Sequence, residues 1–132
     1  MQVEMCMAKI HRATVTEAEL DYVGSITIDE ALLEASGIIP GQFVYINNLA
    51  NGHPWSTYVL PGKRDSGVIC LNGPPAHHFK PGNIVVILAK VLVDPLEQKI
   101  YRELGWPRVV FVDNKNRVTT KDAQERALHP RS

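Results

Sequence analysis

The sequence predicts a mainly β domain, a barrel with short helices, on three observations. Short β-rich runs alternate with turn signals: Pro40-Gly41, Asn51-Gly52, Pro61-Gly62, Asn72-Gly73 and Pro81-Gly82. The run Ile84 to Val93 is almost continuously apolar and reads as one long strand. The segment from Gly37 to Ile46 resembles the segment from His78 to Ile87. Each is a Pro-Gly turn, one polar residue and an apolar β-rich run, so a barrel of two similar halves is expected.

Taken in order, Val3, Met5 and Met7 alternate with Glu4, Cys6 and Ala8, which predicts a strand over residues 2–15, bent near Lys9. Thr16-Glu17-Ala18-Glu19 has capping-box spacing and predicts one helical turn that delivers Tyr22 to Ser25. Ser25 to Ile28 is a short strand. Asp29 caps a helix over Glu30 to Ser36, and Gly37 stops it. Phe43 to Asn47 and Trp55 to Leu60 pair around the Asn51-Gly52 turn. Pro61-Gly62 turns the chain before a strand from Val68 to Leu71. Asn72-Gly73-Pro74-Pro75 reads as a rigid loop and Ala76 to Phe79 as a helical turn. The apolar run to Val93 is expected to be buried on both faces. Leu96 to Leu104 predicts a short helix, and Val109 to Asp113 a late strand. Residues 121–132 are polar and read as a flexible tail or frayed helix.

Size and charge bound the function. A chain of 132 residues suits a single domain spanning 1–132. Basic and acidic residues balance at 14 each, which argues against nucleic acid as a partner. No apolar run approaches the roughly 20 residues of a membrane span. Met1-Gln2-Val3-Glu4 lacks the basic start of a secretion signal, so the expected location is the cytoplasm. Cys6 and Cys70 fit reduced thiols of such a compartment.

The pair Gly24-Ser25 offers unusual chemistry. A serine hydroxyl can attack the carbonyl just before it, and Gly24, without a Cβ, leaves that carbonyl open. If the surroundings stabilise the oxyanion, the acyl group moves from nitrogen to oxygen. Elimination and hydrolysis then turn Ser25 into a pyruvoyl group, a ketone cofactor made from the chain itself. The plainer reading of Gly-Ser is a turn into a strand. Lys9 and His11, two apart on a strand, share a face that is either solvated or a positive wall for a substrate carboxylate. Thr57 could activate the Ser25 bond and Tyr58 could donate a proton, or both are ordinary strand residues. Adjacent His77 and His78 point apart and have no cluster to complete a coordination sphere, so no metal is expected. Phosphate-loop, Gly-x-Ser-x-Gly, Cys-x-x-Cys and His-Glu-x-x-His motifs are absent.

Together these residues resemble the aspartate 1-decarboxylase family, which decarboxylates L-aspartate to β-alanine for pantothenate biosynthesis. The resemblance runs from about Met5 to Val93. It is carried by Lys9-Ile10-His11-Arg12, Val15-Thr16, Tyr22, Gly24-Ser25, Ile28-Asp29, Asn51-Gly52, Ser56-Thr57-Tyr58, Asn72-Gly73 and Ala76-His77. It implies a double-psi β-barrel, a homotetramer with sites between subunits, and self-cleavage of a zymogen into 1–24 and 25–132. Maturation with or without a helper protein is left open. By resemblance, Ser25 becomes the pyruvoyl group that forms a Schiff base with the substrate, and Tyr58 is the proton donor. Gly24, Thr57 and Asn72 would serve self-processing. Lys9, His11, Tyr22, Thr57 and Gly73 would bind substrate.

The departures lie in the substrate set. Pro54 stands where the family has an arginine that pairs with the substrate carboxylate, and neighbouring His53 is the candidate substitute. Pro74-Pro75 replace Ala-Ala and remove two backbone donors. Asn47 replaces a tryptophan. Two other readings therefore stand beside aspartate decarboxylation: the same chemistry on another small amino acid, or an uncleaved barrel that binds a ligand without catalysis.

Overall fold

The computed structural model describes residues 1–129. Its strands are β1 (Val3–Thr14), β2 (Glu17–Glu19), β3 (Ser25–Asp29), β4 (Phe43–Asn48), β5 (Pro54–Gly62), β6 (Ile69–Asn72), β7 (Ile84–Val93), β8 (Arg108–Val112) and β9 (Val118–Thr119). The helices are α1 (Glu30–Ser36), α2 (Gln98–Glu103) and α3 (Lys121–Leu128), with 3-10 turns at Pro74–His77 and Pro95–Glu97.

The strand order is β2-β6-β3-β5-β4-β7-β1-β8-β9. Because β2 continues β1 along the chain, this order closes on itself: β1 and β2 act as one bent strand that touches β7 at one end and β6 at the other. Backbone bonds from Thr16 N–H to the Ile69 carbonyl (2.8 Å) and from Gly82 N–H to the Val15 carbonyl (2.8 Å) seal the closure. Closing a sheet removes its exposed edges.

The barrel has two halves of one design, strand–strand–helix–strand. The first is β1, β3, α1 and β4; the second is β5, β6, the Pro74–His77 turn and β7. Exchanging the halves preserves the pairing. β3–β5 and β2–β6 are the parallel pairs, β4–β5 and β1–β7 the antiparallel ones, and β3–β6 and β4–β7 map onto themselves. The two Pro-Gly turns also correspond bond for bond. Gly41 N–H donates to the Val59 carbonyl and Gly82 N–H to the Val15 carbonyl, both at 2.8 Å. The repeat seen in the sequence is thus the half-barrel, and the expected double-psi barrel with short helices holds.

Inward side chains form the core. Ile10, Ile26, Ile28, Val44, Ile46, Val59, Leu71, Phe79, Val85 and Ile87 are fully buried. β1 reaches two neighbours by bending: its register against β7 slips between Cys6 and Ala8 and again between Ile10 and Ala13. The helix α1 forms as its caps predict. The Asp29 carboxylate accepts from Ala31 N–H, and Gly37 closes the last turn at φ 80°.

Several expectations need correction. Thr16-Glu17-Ala18-Glu19 opens no helix; Glu17–Glu19 is strand β2. The Thr16 hydroxyl bonds across to Ile69, accepting from its N–H at 2.9 Å, so it is not free to cap. Pro61-Gly62 does not turn the chain but ends β5, paired with Ile28 and Asp29 of β3. A Cβ on Gly62 would stand 2.3 Å from Val68 Cγ1, so glycine is there for close approach. β7 is not buried on both faces: Val85, Ile87 and Ala89 are enclosed, while the residues between them stay partly exposed. Pro74-Pro75 start a 3-10 turn instead of a loop. In the expected tail, α3 runs to Leu128, and its Gln124 is buried, donating to the carbonyls of His11 (2.8 Å) and Val112 (3.0 Å). The remainder of that tail, 130–132, lies outside the described residues.

Candidate active site

Ser25 begins β3, directly opposite Asn72 at the end of β6. Asn72 Nδ2 donates to Ser25 Oγ at 2.9 Å and to Thr27 Oγ1 at 3.1 Å. Ser25 Oγ–H donates to the Val23 carbonyl at 3.2 Å. Behind Asn72, the Cys70 thiol donates to Asn72 Oδ1 at 3.2 Å. The serine is 1% exposed, so this network replaces water around its hydroxyl.

Period-two geometry assembles the rest. On β3, Ser25 and Thr27 share the outer face, and on β6 Cys70 and Asn72 do. Glu17 and Glu19 of β2 stand opposite Cys70 and Asn72. Leu60 of β5 stands opposite Thr27, and Tyr58, two residues back, shares its face. These strands floor a cleft of about 400 Å3, which Tyr22 and Val23 also line. No lysine, arginine or histidine lines it among the described residues.

Gly73 brings β6 against the Gly24–Ser25 bond. Its φ is 84°, in the left-handed region, and its N–H donates to the Glu19 carbonyl at 2.7 Å. A Cβ on Gly73 would stand 2.8 Å from Gly24 Cα and 3.0 Å from the Tyr22 carbonyl oxygen. Only glycine lets the two segments lie this close.

The structure thus brings together Gly24, Ser25, Tyr22, Tyr58, Asn72 and Gly73. Thr57 is not among them: with Val44 opposite, it is buried on the inner side of β5, away from the cleft. Lys9 lies on the outer face of β1 between Leu88 and Val109, and His11 packs edge-on against Phe111 at 5.7 Å. Neither is among the residues that line the Ser25 cleft. Burial, helped by the Lys9 and Arg12 charges, holds the His11 imidazole below its ordinary pKa. His53 stacks on His78 at 3.9 Å and does not reach the cleft. Pro54 lies opposite Asn47, and both line a second hollow of about 610 Å3 beside Tyr45 and Lys90. Lys90 Nζ sits 4.3 Å above the Tyr45 ring.

Sequence reasoning missed Thr27, Cys70, Glu17 and Glu19. Thr27 and Cys70 lie two residues from Ser25 and Asn72, so strand parity was the signal that could have found them. Glu17 and Glu19 were hidden by the helical reading of their segment. Among the described residues, no cluster of three His, Cys, Asp or Glu side chains could hold a metal ion. Among the same residues no helix is long and apolar enough to cross a membrane.

Comparison with known proteins bears on this geometry. The family model described as aspartate decarboxylase matches residues 1–119. A curated aspartate 1-decarboxylase of Syntrophus aciditrophicus is 50% identical over 119 residues, covering 89% of this chain and 98% of the relative. That of Carboxydothermus hydrogenoformans is 47% identical over 129 residues, 98% of this chain and 97% of the relative. That of Pelotomaculum thermopropionicum is 48% identical over 118 residues, 89% of this chain and 86% of the relative. Among solved structures, the rationally designed mkDPBB_sym_86 protein matches at 18% identity and a TM-score of 0.46, covering 66% of this chain and 94% of its own.

Proposed function

The chain belongs to the aspartate decarboxylase family, and from that premise we propose that it converts L-aspartate to β-alanine and CO2, for pantothenate biosynthesis, with a pyruvoyl group made from its own Ser25. The observation that carries the reading is the buried Ser25 hydroxyl, held by Asn72 beside an open cleft. The residues fit the group: Gly73, without a side chain, lets β6 lie against Gly24 beside Ser25, and the cleft opens directly onto Ser25.

Formation needs no outside oxidant. Ser25 Oγ attacks the Gly24 carbonyl carbon, its proton passes to the departing Ser25 nitrogen, and an ester replaces the amide. Elimination frees the Gly24 carboxylate and leaves a dehydroalanine. Water then releases ammonia and leaves a ketone on residue 25. The chain divides into 1–24 and 25–132. Asn72 orients Oγ for the attack, and Gly24 leaves its carbonyl unscreened. When formed, the group supplies a carbonyl that takes up the substrate amine and accepts the electron pair left as CO2 departs. Tyr58 faces the cleft and returns a proton to the α-carbon. Tyr22 lines the cleft beside Ser25, where it contacts the substrate.

Among the described residues the cleft of one chain has two carboxylates in its lining and no cation, so a dicarboxylate substrate needs charge from elsewhere. We assign that charge to Lys9 of the partner subunit in a homotetramer. The support is the outer sheet face that carries Lys9: Phe43, Tyr45 and Val109 are 59%, 38% and 40% exposed there, an apolar surface of the kind that subunits cover. Pro54, which cannot pair with a carboxylate, motivates the second reading, a different small amino acid as substrate.

Intact mass under denaturing conditions tests the proposal. Two fragments dividing between Gly24 and Ser25 are expected, the larger blocked to N-terminal sequencing and reactive towards carbonyl reagents. Ser25→Ala should remain one chain and release no CO2 from aspartate. A single uncut chain after prolonged warming of the purified protein, with or without cell extract to supply a helper, overturns the proposal. Turnover compared across small amino acids separates aspartate from the second reading.

A further inference from the structure

α3 packs over the ends of β1 and β8 and borders a half-open cavity of about 320 Å3 away from the Ser25 cleft. That volume falls at the small end of ligand sites, roughly 300–1,000 Å3. Its wall is apolar at Ile84, Val112, Ala127 and Leu128 and charged at Arg12 and Asp113.

Arg12 is the anomaly. It sits in the second slip of β1, between Ile10 and Ala13, at φ 63°, a conformation that side-chain-bearing residues rarely adopt. Its Nε is buried and has no hydrogen-bond partner among the described residues. Among the described residues no carboxylate lies within ion-pair distance of it, and the ion pair there joins Arg64 to Glu34. Neighbouring polar groups are bonded within the chain. Asn116 exchanges bonds of 2.7 Å with the Thr14 backbone, Gln124 Nε2 donates to the His11 and Val112 carbonyls, and Asp113 Oδ1 accepts from Lys115 N–H (2.8 Å) and Arg117 N–H (3.0 Å). A buried guanidinium nitrogen without an acceptor is costly, so a strained backbone that holds one beside a cavity points to an absent anion.

We propose that this cavity binds a small organic carboxylate, its anionic end on the Arg12 guanidinium and its carbon body on Ile84, Val112, Ala127 and Leu128. Guanidinium and carboxylate match as planar partners. Asp113 in the same wall offers a place for an ammonium group, so the ligand is either a simple carboxylate or a zwitterion. Because Gln124 already ties α3 to the His11 carbonyl, next to Arg12, an occupied cavity clamps α3 onto β1.

Thermal unfolding of the full purified protein tests this, with propionate and β-alanine as probes and chloride at matched ionic strength as the control. A saturable rise in Tm above the chloride control is expected, since a ligand that binds only the folded state stabilises it. An equal response to both probes assigns a simple carboxylate, and a stronger response to β-alanine a zwitterion. Arg12→Gln should weaken the apparent affinity at least tenfold. Leu128→Trp, which fills the cavity from the helix side, should do the same and leave cleavage at Ser25 intact. The absence of any saturable shift, or a shift kept in full by both variants, overturns the proposal. The readout is independent of decarboxylation, so its failure and that of the proposed activity are separable.

Discussion

Asn72 can serve Ser25 only in one orientation of its amide. Nδ2 must face the Ser25 and Thr27 hydroxyls, and Oδ1 must face away. The Cys70 thiol enforces this, because it donates to Oδ1 at 3.2 Å and offers a flipped NH2 only a poor acceptor. It remains a donor because burial, with Glu17 and Glu19 nearby, pushes its pKa up to about 11. The folded value is the higher one, so this contribution is complete below the free thiol's pKa and is lost as pH rises through about 11. Cys70→Ala should therefore slow self-cleavage by about three- to tenfold, the scale of one hydrogen bond of ~1 kcal/mol, while Cys70→Ser keeps the donor and most of the rate. The fraction cleaved with time, followed by mass spectrometry, checks both. At this scale the sequence was partly readable. Gly24, Ser25 and Asn72 stand out by type and position, whereas Cys70 looks like any core thiol until its register against β3 is known. Thr57 has the right chemistry but the wrong parity: one step along β5 from Tyr58, it turns inward.

At the scale of elements, what was readable was local. Asp29 and Gly37 bound α1 because a cap and a left-handed stop are properties of a few adjacent residues. Thr16 shows the limit. Its spacing from Glu19 satisfies a capping box, yet Ile69, 53 positions away, takes its hydroxyl. Gly62 shows it again, since the strand end it permits depends on Val68 and Thr27 close by in space. The same dependence makes Gly73 a sharp test of the site. Gly73→Ala puts a methyl group 2.8 Å from Gly24 Cα, and asks an alanine to hold φ 84°. The left-handed conformation alone costs roughly 1–2 kcal/mol. The variant should show a lower urea midpoint by that order and an uncut Gly24–Ser25 bond, because the clash pushes the scissile segment off Asn72. A fully cleaved and equally stable Gly73→Ala protein would mean that this approach is unimportant.

For the whole molecule, the repeat was readable and the closure was not. Two Pro-Gly turns reveal two halves, but how they interlock depends on parallel pairings between distant segments that leave no local pattern. The outer face raises the last question. Across five strands it carries the row Ser56, Tyr45, Leu88, Lys9 and Val109, each residue directly opposite the next. This row is apolar at its centre and holds a lysine, while among the described residues the Ser25 cleft has no cation in its lining. The two surfaces are complementary in charge, and a chain of zero net charge has no overall repulsion to prevent its copies from meeting. The residues of the proposed cleavage, by contrast, Ser25, Asn72 and Gly73, lie together in one chain. Tyr45→Glu should therefore separate the two activities. A carboxylate at the centre of the covered face would be buried without a partner, which disfavours assembly by several kcal/mol. The expected result is a smaller native mass by light scattering, decarboxylation reduced at least tenfold, and a Gly24–Ser25 bond still cut. If Tyr45→Glu keeps both its mass and its turnover, the face is not an interface, and the carboxylate of the substrate must find its cation within one chain.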